Sequence, residues 1–161
     1  MNLGRIALAT LVAGVLDIGS VFVFVAINGG EQARMLAAIA SGPFGREVIG
    51  QAWAPALGLA VHFAIMSGMV AFFAVAADRF PELLRRVGPV AAGIGYGLGL
   101  YVLMFWIALP LRWPDIHPVT DFWPVARMVF SHIFMVGLPI AFILWPRGAD
   151  QGAAVPAAAT P

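Results

Sequence analysis

Three ionisable residues stand where hydrocarbon is expected. Asp17, His62 and His132 each interrupt a long apolar run. An acidic residue near the middle of a spanning helix costs roughly 2.5–3.5 kcal/mol on insertion scales, so such residues usually serve a purpose. Thr10, Ala13, Gly14, Asp17 and Ser20 recur at helical spacing and form one small, polar stripe. A stripe of this kind faces other helices rather than lipid. Desolvation favours the protonated form of the Asp17 carboxyl unless a cation partners it. His62 shares a helix face with Gln51, Pro55, Gly58, Met66 and Met69, and His132 has Met128 and Met135 one turn to either side. With antiparallel neighbours, Asp17 and His62 reach similar depth and His132 lies closer to the outer surface, so a shared Asp/His cluster is geometrically possible.

Four chemistries fit these residues. The plainest is interhelical hydrogen bonding, with Met as packing. A second is a proton relay or small-ligand site built from Asp17, His62 and His132. A third is a haem held by His62 and His132, against which the difference in their depths counts. The fourth is copper(I) on a soft donor set of His62, Met66, His132 and Met135. None of the four needs an enzyme, and no nucleophile–base pair or complete metal motif supports one.

Other motifs concern packing. Gly93, Gly95, Gly97 and Gly99 alternate and give two small-xxx-small pairs, suited to close approach within the bundle or to a homodimer or partner contact. They are not a nucleotide loop, since they follow no strand. Pro139 deprives the Met135 carbonyl of its usual donor and should kink its helix one turn from His132. Asp115, His117 and Asp121 make a conceivable metal set, but the prolines among them favour an ordinary solvated loop.

The elements that position these residues follow from composition. The 161-residue chain is 61% hydrophobic and 11% charged, with a mean hydropathy of +0.93. A small soluble domain has too little interior to hide that much apolar surface. Four runs reach the ~20 residues that span a bilayer, at about 6–27, 52–77, 89–109 and 125–145. The first is longer than the h-region of a signal peptide and holds a carboxylate at its middle, so it reads as retained. Asn28-Gly29-Gly30 ends it. Glu31 to Ala40 then reads as a short interfacial helix that stops at Ser41-Gly42-Pro43. Asp78 to Gly88 reads as a short charged loop. Pro110 to Pro124 reads as an extended loop rich in proline. Residues 148–161 are Ala-, Gly- and Pro-rich and are expected to be disordered. The fold class is therefore an all-α integral membrane four-helix bundle over residues 1–147, with a short interfacial helix between the first and second spans.

Charge limits the partners. Nine Arg and no Lys oppose eight acidic residues, for a net charge of +1, which leaves no basic patch for nucleic acid. The absence of Cys removes disulfides, Fe–S clusters and thiol catalysis. Arg5, Arg79, Arg85, Arg86 and Arg147 fall on one side and Arg34, Arg46, Arg112 and Arg127 on the other. The tight Arg79/Arg85/Arg86 cluster puts both termini in the cytoplasm. Trp53, Trp106, Trp113 and Trp123 would then belt the opposite interface, with Trp145 at the cytoplasmic one.

The order of features resembles the uncharacterised YagU-like four-span inner-membrane proteins of bacteria. The likeness runs from about Gly50 to Ile140. It rests on His62 in the second span, Asp78-Arg79-Phe80-Pro81, the Gly-rich third span, the Pro110-Leu111 exit, a Pro-rich outer loop with Trp, and His132 early in the fourth span. Asp17 does not carry over from that family. The resemblance implies a bacterial inner-membrane location and no established activity. The leading expectation is a non-enzymatic membrane protein whose Asp17/His62/His132 site handles protons or binds a small ligand. The alternative is an accessory subunit that docks on a larger membrane complex, or on a second copy of itself, through the Gly-rich third helix.

Overall fold

The computed structural model describes residues 2–115 and 118–146. His117, Arg147 and the tail at 148–161 lie outside them. Among the described residues six helices follow in order: α1 (Leu3–Ile27), α2 (Gln32–Phe44), α3 (Ala54–Arg79), α4 (Pro81–Val87), α5 (Pro89–Arg112) and α6 (Phe122–Leu144). Four of them, α1, α3, α5 and α6, are long and apolar enough to cross a membrane. The chain has the architecture of a multi-pass membrane protein. At most a third of the most apolar stretch of any span is buried inside the bundle. Leu8, Leu11, Val15, Phe72, Val75, Leu103 and Phe142 all face outward, an apolar exterior that water would not tolerate and lipid does.

Local chemistry sets the ends. The Asn2 side chain accepts from the Arg5 amide at 3.2 Å and caps α1. Asn28 Nδ2 returns to the Phe24 carbonyl at 2.7 Å, and Gly29 leaves the helix at φ +69°. Pro55, Pro81 and Pro89 lie in the first turns of α3, α4 and α5, where a missing N–H costs nothing. Gly88, at φ +83°, makes the turn between α4 and α5. The segment expected as a charged loop thus contains a two-turn helix, α4, because Pro81 starts it and Glu82 and Arg85 pair one turn apart.

Two further boundaries differ from expectation. Helix α2 does not stop at Ser41-Gly42-Pro43 but runs to Phe44, and Gly45 at φ +91° ends it. Pro43 falls in the last turn, where it removes one bond without clashing with a long helix beyond. Helix α5 continues through Pro110 to Arg112, so Pro110 is inside the helix rather than at its exit. The helix survives because the turn before the proline widens. Leu103–Ala108 is a π-turn, and the Leu109 amide reaches back five residues to the Met104 carbonyl. Helix α6 does the same before Pro139. Ser131–Gly137 is a π-turn, and the Leu138 amide bonds the Ile133 carbonyl. Both π-turns end at a Leu-Pro pair, which names their cause: a proline that cannot donate and a helix that must continue.

The spans pack in the order α3, α1, α6, α5. Helices α5 and α6 cross most closely. A Cβ at Gly97 would lie 2.4 Å from the His132 carbonyl oxygen, and one at Gly137 would lie 2.2 Å from that of Gly93. Gly93 likewise faces the backbone of Leu138. Gly95 and Gly99 have nothing within 4 Å. The alternating glycines therefore divide into an inward pair and an outward pair. Arg5 ties the two terminal ends together by donating to the carbonyls of Ile143 and Trp145 at the end of α6, where the helix dipole also favours a cation.

The core fills the end of the bundle that carries the termini. Ala9, Ala13, Val70, Phe73, Ala77, Ile140, Ala141 and Leu144 form it. Tyr96 closes its α3–α5 side: the hydroxyl donates to the Met69 carbonyl at 2.6 Å and the ring packs on Phe73 at 5.0 Å.

Candidate functional site

Beyond Tyr96 the bundle is hollow. A cavity of about 770 Å³ occupies the half away from the termini. Asp17, His62 and His132 all line it, so the structure brings the three predicted residues to one space. Ile65 and Met69 of α3 line it, as do Met104 and Phe105 of α5. Ile65 is 39% exposed, and the other three are partly exposed.

Helix α2 covers this half. Met35 and Ile39 line the cavity from above, with Asn28 and Gly30 of the preceding turn. A Cβ at Gly58 would lie 1.9 Å from the Leu36 carbonyl oxygen, so α2 lies directly on the backbone of α3. Arg112 donates to the Gly42 carbonyl near the end of α2. Arg46 pairs with Asp115 at 2.7 Å across to the α5–α6 connection. The guanidinium hydrogen bond holds the Asp115 carboxyl below the usual carboxylate range. That pairing also takes Asp115 out of the conceivable metal set with Asp121. The third member, His117, lies outside the described residues. Asp121 instead precedes the first turn of α6.

The polar centre is a short network between α1 and α6. Ser131 Oγ donates to Asp17 Oδ1 at 2.7 Å. Ser20 Oγ donates to the Asp17 carbonyl at 2.8 Å and lies 3.0 Å from Ser131 Oγ. The second carboxylate oxygen of Asp17 is uncommitted among the described residues. His62, buried on α3, donates through Nε2 to the Gly14 carbonyl at 3.0 Å. His132 donates through Nδ1 to the Met128 carbonyl at 2.9 Å, and Tyr101 and Phe105 set their rings edge-on to it. In the neutral form of each imidazole the carbonyl fixes the tautomer and leaves one acceptor nitrogen, Nδ1 of His62 and Nε2 of His132. Asp17 makes no direct hydrogen bond to either histidine among the described residues. The three residues share a cavity but do not form a relay of touching groups.

The π-turn in α6 places its share of these residues. Arg127, Ser131, Val136, Ile140 and Leu144 follow one another in steps of four, except for one step of five within Ser131–Gly137. The first three line the cavity and the last two belong to the core. Without the extra residue, the polar positions and the core positions of α6 would fall on different faces.

Arg127 was counted in the sequence only as a charge flanking a span. It lines the cavity, its guanidinium carbon 4.9 Å from the centre of the Phe24 ring. No carboxylate pairs with it among the described residues. Its spacing of four from Ser131 was the available sign of its position. Met35, Met66, Met69, Met104 and Met128 supply thioethers to the lining, whereas Met135 is not part of it. A soft-metal donor set would thus draw on His62, His132, Met66 and Met128. Among the described residues no group of three or more His, Asp or Glu side chains is placed to hold a metal ion. No family model, curated protein or solved structure matches the chain.

Proposed function

We propose that this protein is a non-enzymatic bacterial inner-membrane protein that binds a small ligand, or handles protons, at an intramembrane site formed by Asp17, Ser20, Ser131, His62 and His132. The observation that carries this reading is the sharing of one large cavity by all three costly ionisable residues. Residues that only packed the bundle would be expected to satisfy one another and leave no space. Here Asp17 retains a free oxygen and each histidine a free acceptor nitrogen, in a wall made mostly of Met, Ile, Val and Phe. An orientation with both termini in the cytoplasm, and kinship with the YagU-like proteins, are parts of the same proposal.

The test is chemical. Dicyclohexylcarbodiimide is an apolar reagent that modifies protonated carboxyls in low-dielectric surroundings. The expected result is an adduct on Asp17, found by mass spectrometry of membrane-embedded protein and missing from Asp17→Asn. Absence of an Asp17 adduct would remove the site from consideration.

A second reading is supported by the outward glycines. Gly95 and Gly99 expose a bare backbone on α5, as a helix–helix contact with another membrane protein would use. Gly95→Leu and Gly99→Leu are its test, by loss of a co-purifying partner. Gly97→Leu would not serve, because Gly97 packs inside the bundle.

A further inference from the structure

The cavity holds one acidic and one basic side chain at different depths. The Asp17 carboxyl is the deeper of the two, with the serines. The Arg127 guanidinium lies nearer α2, against Phe24. Phe24 lies seven residues beyond Asp17 on α1, about two turns or ~10 Å along the axis. Neither charge meets an opposite one among the described residues. Val21 lies between them on α1, and Met104 and Phe105 line the cavity beside them. A cation and an anion held apart across apolar walls are each incompletely compensated, and a ligand that supplies both complements satisfies both at once.

Resting on the ligand-site reading above, we infer that the cavity takes a compact dipolar molecule, an ω-ammonio carboxylate. Its carboxylate is held by Arg127, whose planar fork suits bidentate pairing. Its ammonium is held by Asp17, with the free histidine nitrogens as further acceptors. Allowing ~2.8 Å for the charge-assisted hydrogen bond at each end, the ligand's charged groups stand roughly 4–6 Å apart. That corresponds to a spacer of about three or four carbons, longer than an α-amino acid provides. Phe24 and Phe105 suit such a molecule, since an ammonium passing them gains a cation–π contact.

The experiment uses the full chain in nanodiscs and, in parallel, in neutral detergent. Binding is read by calorimetry and by thermal stabilisation. The probes are glycine, 4-aminobutanoate, 5-aminopentanoate, 6-aminohexanoate and 8-aminooctanoate, with pentylamine and pentanoate as single-charge controls. The expected result is an affinity optimum at 4-aminobutanoate or 5-aminopentanoate, at least ten-fold above both controls. Arg127→Gln should reduce that optimum to the level of pentylamine, and Asp17→Asn to the level of pentanoate. If pentylamine binds as tightly as the amino acids in an Asp17-dependent way, the ligand site stands and the dipolar ligand is wrong. If Arg127→Gln leaves the amino acids unaffected, Arg127 serves the phosphates of surrounding lipid and the inference is overturned. If no probe binds in either medium the inference fails, while carbodiimide labelling of Asp17 still decides the site itself.

Discussion

The two halves of this bundle solve opposite problems with the same four helices. The half that carries the termini is filled. Val70 and Ile140 are completely buried there, among alanines that let the helices close. The other half is held open. Its walls are long, flexible Met and aromatic side chains around hydroxyls, imidazoles and a carboxyl, and α2 lies across the top. In lipid there is little hydrophobic drive between helices, so close packing and hydrogen bonds decide where they meet. The filled half has the first and the open half relies on the second. Close packing resides in one end of the bundle and the proposed binding site in the other.

The sharpest way to break this contrast is at the α5–α6 crossing, which both halves depend on. Gly97→Leu puts a side chain where the His132 carbonyl already is, and neither backbone can yield. The expected outcome is loss of the folded, monodisperse protein on size exclusion. Gly95→Leu, two residues away on the open face, should leave the melting temperature of the isolated protein unchanged. Next in size is Ile140→Ala in the filled half. Lost dispersion contacts and a residual cavity should cost about 2 kcal/mol, the low end of the range for such truncations, because lipid removes much of the transfer term. Met104→Ala merely enlarges a space that is already there and should move the denaturation midpoint little. Ser131→Ala is smaller again. It removes one interhelical hydrogen bond, worth about 0.6 kcal/mol on average in a membrane bundle, and should lower the denaturation midpoint only slightly.

The smallest effect belongs to the clamp on α2. Arg46 lowers the pKa of Asp115 in the folded state, so the pair contributes above the ordinary carboxylate value and loses its contribution as pH falls through the lowered folded value. Both partners are exposed. Asp115→Asn should therefore leave the melting temperature nearly unchanged, with any difference confined to low salt and vanishing in acid.

Much of this was legible in the residues. Apolar runs longer than a bilayer needs marked the four spans to within a few positions, and Asp17, His62 and His132 were visible because ionisable groups are costly there. The alternating glycines announced close packing. They could not say which pair is used, although residues two apart point to nearly opposite helix faces and only one pair can meet a given neighbour. The π-turns were less accessible. Pro139 signalled a kink, but whether a helix bends or absorbs the missing donor by widening depends on its neighbours. The widening is what aligns Arg127 and Ser131 with the cavity. Helix α2 read as amphipathic and interfacial. Its seat on α3 depends on Gly58, one glycine among many, and on arginines from distant parts of the chain. The cavity itself is a property of how helices diverge, which no single segment encodes.

The natural absence of cysteine makes the central contrast directly measurable. Single substitutions Ser20→Cys and Met128→Cys in the open half, and Val70→Cys and Ile140→Cys in the filled half, can be probed in membranes with a small, water-soluble methanethiosulfonate. The account predicts rapid modification at positions 20 and 128 and protection at positions 70 and 140. Equal protection at all four would mean that the cavity is closed to water and ligand, and would contradict it.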